Sequence, residues 1–469
     1  MSPTTRVERD FAGEVDVDDT KLWGAQTQRA LNAFSISDLR LPCAFVRTLG
    51  SLKRAAAQTN NELGLIEDRL AQVIVQAAGE VAAGELDDQF RIDLFQTGSG
   101  TNTNMNANEV IANRANQLLG RSLGAKHPVH PNDHVNKGQS SNDVTPTVIH
   151  TAAQAALTHH LLPALRHLHA ALTDLARRTD HVVKSGRTHL QDAVPIRMGQ
   201  EFAGHAGQIA RGIRRIEASQ ADLAEVALGG TAVGTGVNTH PEFSARVIGR
   251  LATEFAIELR ETDNHFQAQN CSDAAVAVSG ALRTVAVSLL KITDDIRWMS
   301  SGPVAGLGEI TVPTLGMGSS IMPGKTNPVV AEAVAQTAVK VIGNDATIVA
   351  AGSRANFEIT VMSPVTAYAL LESVNILAGA ATTFTERCIN GIRPTVTGPQ
   401  VVAHNAMLAT ALAPTVGYDM AAEIAKSATR RRITVLEAAR VTSGLAEDQL
   451  QALLDPAAMT GATPICNVS

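Results

Sequence analysis

Between Ala281 and Ser301 the chain carries neither glycine nor proline, and Leu282, Val285, Leu289, Ile292 and Ile296 recur at alternating spacings of three and four. An α-helix turns once every 3.6 residues, so all five fall on one stripe. Val278, Val287 and Leu290 make other faces apolar too, which predicts a buried helix. Runs free of Gly and Pro at Ala164–Ser185 and Ile213–Leu228 predict more helices of this kind. At about 1.5 Å per residue such elements exceed roughly 20 Å, and elements of that length bury their stripes by packing as a bundle. No strand–helix alternation runs through the sequence, which excludes a doubly wound sheet. The expected class is mainly α. Aromatic residues are only 3% of the chain, which suits close packing of Ala, Val and Leu faces.

At 469 residues the chain exceeds what one core usually supports, so two or three domains are expected. A net charge of −6 argues against a basic nucleic-acid surface while leaving room for a local positive pocket. Cys43, Cys271, Cys388 and Cys466 lie far apart, with no spacing that suits structural zinc or an iron–sulfur cluster. They read as reduced thiols, and no metal is expected. Arg6, Glu8, Arg9 and Asp10 stand near the start with no apolar core before them, unlike a signal peptide. A cytoplasmic location is expected. The uncharged run Val144–Leu165 holds Pro146, Pro163 and three histidines, which disfavours a membrane span.

The chemistry sits in polar segments between the helices. Gly318-Ser319-Ser320-Ile321-Met322-Pro323-Gly324-Lys325-Thr326-Asn327-Pro328 joins glycine hinges, hydroxyls, a cation and an amide in one short loop. Such a loop can close over an anion. Read alone, it is an ordinary solvated turn more often than a lid. Thr97–Asn108 is crowded with Thr, Ser and Asn side chains before Glu109; it reads either as a cap on a helix starting near Glu109 or as an oxyanion-binding wall. His130-Pro131-Asn132-Asp133 alone reads as a turn, and His189, one of fourteen histidines, alone reads as structural. The glycine-rich stretch Gly229–Gly236 has the wrong spacing for a dinucleotide or Walker loop.

Taken together, these segments resemble the fumarase/aspartase superfamily. Residues 318–328 fill every fixed position of its signature GSSxMPxKxNP, and Thr97-Gly98-Ser99-Gly100-Thr101, Ser140-Ser141-Asn142-Asp143 and Gly186-Arg187-Thr188-His189 match its other motifs. Lys21–Arg29 also fits, so the resemblance spans about Gly13 to Gly461. Thr-His at 188–189 and Gly324 before Lys325 are similar to class II fumarases, whereas aspartases usually carry Thr-Gln and Ala. The resemblance implies a three-domain helical fold divided as 1–139, 140–393 and 394–469. Its central long helices would build a twenty-helix core in a homotetramer, with each active site shared by three subunits.

The implied reaction is reversible hydration of fumarate to L-malate, with no metal or organic cofactor. Ser319 would take the carbon-bound proton and His189 would handle the leaving oxygen, with Glu332 in support. Ser99, Thr101, Ser140, Ser141, Asn142, Thr188, Ser320, Lys325 and Asn327 would bind substrate. His130, Asn132 and Asp133 would form a second dicarboxylate site. The chain departs from the usual fumarase pattern at His134, Gly138 and Thr326, and the first of these bears on that second site. Aspartate ammonia-lyase and a non-catalytic scaffold of the same fold are the alternatives; retention of Ser319, His189, Lys325 and Asn327 together argues against the scaffold.

Overall fold

A computed structural model describes residues 4–316 and 318–461. The chain opens with a hairpin, β1 (Thr5–Asp10) and β2 (Gly13–Asp18), followed by α1 (Ala25–Ala33), α2 (Cys43–Glu62), α3 (Asp68–Ala83), α4 (Thr101–Leu118) and α5 (Ser141–Ala156). Next come α6 (Leu162–Thr179), a second hairpin of β3 (Val183–Thr188) and β4 (Gln191–Arg197), then α7 (Met198–Leu223), α8 (Phe243–Phe255) and α9 (His265–Asn270). The long helices α10 (Asp273–Met299), α11 (Val329–Gly352) and α12 (Ser363–Arg387) precede a set of short C-terminal helices. Every sheet among the described residues has two strands. The mainly α expectation holds.

The chain divides into two compact units. One comprises residues 1–162, 215–283 and 340–377, and the other residues 163–214, 284–339 and 378–469.

In the first unit the α2–α3 pair forms the core, with Leu49, Leu52, Ala56, Ile74, Ala77 and Val81 at most 1% exposed. Gly50 lets the two helices approach: a Cβ there would stand 2.6 Å from the backbone nitrogen of Ala82. In the second unit Leu165, Leu168, Leu172 and Leu175 of α6 are fully buried, as are Leu289, Ile292 and Ile296 of α10. A separate apolar cluster built from Leu408, Leu412, Ile424, Val435, Ala438 and Leu450 holds the C-terminal helices together.

Three boundaries differ from the sequence reading. The run Ala164–Ser185 is helical only to Thr179 and becomes strand at Val183; the β-branched pair Val182-Val183 suits a strand, and Arg197 of β4 reaches back to bond Asp180 at 2.8 Å. The helix expected over Ile213–Leu228 instead starts at Met198, ends at Leu223 and runs straight through glycines. Two of those glycines are sites of close approach: a Cβ on Gly199 would lie 2.4 Å from the Ala176 carbonyl oxygen, and one on Gly212 would lie 2.8 Å from Val285. The predicted stripe of α10 is buried, but Val287 and Trp298 are each 53% exposed in the single chain. The exposed face that carries these two residues also carries the charged Lys291 and Asp294. α10 and the α12 segment are long and apolar enough to cross a membrane, yet half of each apolar window is buried within the protein, as in core helices.

Candidate active site

The polar stretch after Gly100 is itself helix. α4 begins at Thr101 rather than near Glu109, and its N-cap Gly100 adopts the left-handed conformation at φ 74°. Gly98 must also be glycine, because a Cβ there would fall 1.9 Å from the Val361 carbonyl oxygen. This tight turn brings Ser99 onto Thr101, with 2.8 Å between their hydroxyls. Thr101 in turn shares a 2.7 Å hydrogen bond with Ser141, at the start of α5. Two long helices therefore present their N-termini to one chain of hydroxyls. Each N-terminus carries unpaired N–H groups and a partial positive charge, so the place favours an anion.

The second helix start is fixed by a capping box. The Ser140 hydroxyl accepts from the Asn142 N–H at 3.2 Å, and the Ser140 N–H donates to Asp143 at 2.9 Å. The other Asp143 oxygen accepts N–H groups from Gly229 at 3.1 Å and Thr231 at 2.9 Å, and the Asn142 amide donates to the Ala232 carbonyl at 2.7 Å. The glycine-rich stretch is thus a clamp on Ser140–Asn142, not a nucleotide loop. Burial pushes the Asp143 carboxyl up, opposed by these N–H groups and by the Lys53 ammonium.

His189 sits at the tip of the β3–β4 hairpin, where Thr188 pairs with Gln191 and only His189 and Leu190 form the loop. Both loop residues have positive φ, 57° and 60°. A two-residue turn of this kind normally uses Asn-Gly, and each non-glycine residue forced left-handed costs roughly 1–2 kcal/mol. Such strain is characteristic of a functional tip. The hairpin base holds it in place. Lys184, fully buried, donates to Glu201 at 2.8 Å and pairs with Glu309 at 2.7 Å, while Arg187 grips Glu309 through two bonds of 3.0 and 2.6 Å.

Burial pushes the Glu309 carboxyl up, but Arg187 and Lys184 outweigh it and hold the group below the usual carboxylate range. Its stabilisation is therefore complete above the unfolded pKa of about 4.3 and is lost as pH falls through the lower folded value. Glu309→Leu should cost about 3 kcal/mol, because breaking a buried pair strands its cations, with Glu201 softening the loss. Chemical denaturation at neutral pH checks this, and the difference from the parent should shrink in acid.

The signature segment forms a small closed loop in which Gly318 and Thr326 pair as an isolated bridge. Gly324 turns it at φ 77°. The Ser319 hydroxyl oxygen accepts N–H groups from Ile321 at 3.3 Å and Met322 at 3.1 Å. Lys325 donates to the Asn327 side-chain oxygen at 2.8 Å. Ser320 and Lys325 are exposed, Asn327 is half-buried, and Glu332 lies in the first turn of α11.

The second-site candidates share one wide turn, Pro131–Val135. His130 Nδ1 accepts N–H groups from Asn132 and Asp133, both at 3.2 Å, and the His130 N–H donates to His134 Nδ1 at 2.9 Å. The two histidine nitrogens so engaged shape the turn. The other departures also have local reasons: Gly138 stands at φ 72°, and Thr326 is the bridge partner.

The sequence-predicted residues thus fall into three main clusters: Ser99–Thr101 with Ser140–Asn142, the Thr188–His189 tip, and the 318–327 loop leading to Glu332. Sequence reasoning missed Lys53, Gln139, Asp143 and the Lys184–Arg187–Glu309 group. The Ser-x-x-Asp capping pattern at 140–143 could have revealed Asp143.

Residues 13–343 match a family model described as Lyase, and residues 408–461 match one described as the fumarase C C-terminus. The fumarate hydratase class II of Halobacterium salinarum is 52% identical, with 98% of each chain covered. That of Thermus thermophilus is 48% identical, covering 96% of this chain and 97% of the relative. Among solved structures, the class II fumarase from Schistosoma mansoni has a TM-score of 0.94 at 34% identity, covering 97% of this chain and 99% of that one. A fumarate lyase:delta crystallin from Brucella melitensis has a TM-score of 0.93 at 43% identity, covering 98% and 100%. These matches and the helical fold first define a lyase of the fumarase/aspartase type. The chain belongs to the class II fumarate hydratase family.

Proposed function

We propose that the chain catalyses reversible hydration of fumarate to L-malate, as the names of its relatives imply, with Ser319 as the carbon base. The carrying observation is the pair of backbone N–H groups donated to the Ser319 oxygen. A free serine is far too weak a base. Two amides aimed at its oxygen favour the alkoxide, and a nearby cation adds to this.

In the malate-to-fumarate direction, Ser319 takes a proton from the carbon beside one carboxylate. The C–H electron pair spreads onto that carboxylate as an aci-carboxylate, then forms the double bond as the neighbouring C–O bond breaks. His189, with Glu332 in support, delivers the proton that lets the oxygen leave as water. Lys325 and Asn327 stabilise the doubly charged end. Ser99, Thr101, Ser140, Ser141, Asn142, Thr188 and Ser320 orient the substrate. His130, Asn132 and Asp133 form a second dicarboxylate site. No metal or organic cofactor takes part.

The working form is a cytoplasmic homotetramer divided as 1–139, 140–393 and 394–469, with sites shared by three subunits. The exposed Val287 and Trp298 side chains of α10 support such an assembly. His189→Asn and Ser319→Ala chains, each inactive alone, should therefore regain part of their activity when refolded together, since some mixed sites would carry both native residues. Sedimentation of an active monomer, or no recovery in mixed tetramers, would refute the shared site.

A further inference from the structure

Lys53 of α2 is fully buried, which is costly for an ammonium and calls for a reason. Its Nζ donates to Asn136 Oδ1 at 3.0 Å and to Gln139 Oε1 at 2.9 Å. Asn136 Oδ1 also accepts from Asn104, one turn into α4, at 3.2 Å. Asn136 Nδ2 closes the turn onto the Gln139 carbonyl at 3.1 Å, and Gln139 Nε2 bonds the Val135 and Lys137 carbonyls at 3.1 and 3.2 Å. Ser140 follows directly. One ammonium therefore ties together α2, the first turns of α4, and the turn that delivers Ser140–Asn142.

The wall that those helices form, Ser99, Thr101, Ser140, Ser141 and Asn142, carries no charged side chain. Directly behind it lies the buried Asp143 carboxyl; burial pushes that group up and pushes Lys53 down to about 7, and the attraction between the two opposes both shifts.

We infer that Lys53 is a positioning residue of the dicarboxylate-binding wall, fixing the 136–139 turn that leads into Ser140–Asn142. This rests on the proposed hydratase reading, in which that wall holds a substrate carboxylate. The role differs from structural support because it acts on anion affinity, and a tetramer with an equally weakened core should not share the defect.

The test compares Lys53→Met and Lys53→Arg with Ile74→Ala, a core truncation on α3 that takes part in none of these hydrogen bonds. Fumarate KM and kcat are measured together with the calorimetric affinity for succinate, which reads the wall even in a chain without turnover. Lys53→Met should raise both KM and the succinate dissociation constant by about tenfold or more, the scale of one buried hydrogen-bonded charge, with kcat changed less. Lys53→Arg should recover part of this, and Ile74→Ala should lower thermal stability with both constants unchanged.

Constants within twofold of the parent in a folded Lys53→Met tetramer, or an equal weakening in Ile74→Ala, overturn the inference. If Lys53→Met does not fold, Gln139→Met decides. It removes one acceptor of the ammonium and should weaken succinate binding; unchanged binding in folded Gln139→Met overturns the inference too. A parent that binds succinate without hydrating fumarate would defeat the hydratase reading and leave the Lys53 comparison intact.

Discussion

Ser319→Ala should abolish fumarate formation and, with it, exchange of the carbon-bound proton of malate with solvent. The hydroxyl is the only group assigned to that proton, and loss of a positioned base typically costs roughly 10²–10⁴ in rate. Its N–H donors belong to its own loop, so alanine leaves the rest of the loop without a new clash. His189→Asn should fail differently. The carbon base remains while handling of the oxygen is lost, so slow exchange without fumarate formation is expected. Deuterium uptake into malate, followed alongside fumarate production, separates the two. Persistent exchange in Ser319→Ala would transfer the base to another residue, with His189 the first candidate.

Lys325→Ala should lower turnover by at least roughly 10²–10³, the range for removing one donor to a developing oxyanion. The effect belongs in kcat, because charge on the aci-carboxylate exceeds that of the bound substrate. Lys325 is exposed and donates only locally to Asn327, so thermal stability should move little. Near-normal turnover with weaker binding would make Lys325 a ground-state anchor instead.

The buried stripe of α10 was legible because five apolar residues at helical spacing leave no other period. The loop motifs were legible, since residues 318–328 and 97–101 keep their order whatever the surrounding fold. Helix starts were less so. Thr101–Asn108 looks like a cap by composition, but Gly100 supplies the left-handed turn and the asparagines face a buried interior. The glycine-free run began only after Gly212, yet Gly199 and Gly212 of α7 are where the backbone must approach Ala176 and Val285. Lys53 was invisible for a related reason. It falls among Leu49, Leu52 and Ala56 on an apolar stripe, and only the folded turn at 136–139 shows what its charge meets. The strain at His189 and Leu190 was equally hidden, because backbone sign is not written in a Thr-His dipeptide.

The most direct test is ultraviolet monitoring of fumarate with the purified protein, offering L-malate, L-aspartate and argininosuccinate in parallel. The account predicts fumarate from malate alone, and its consumption when fumarate is supplied with water as the only other reactant. Fumarate released with ammonia from aspartate, or no turnover of malate by the folded protein, would contradict it.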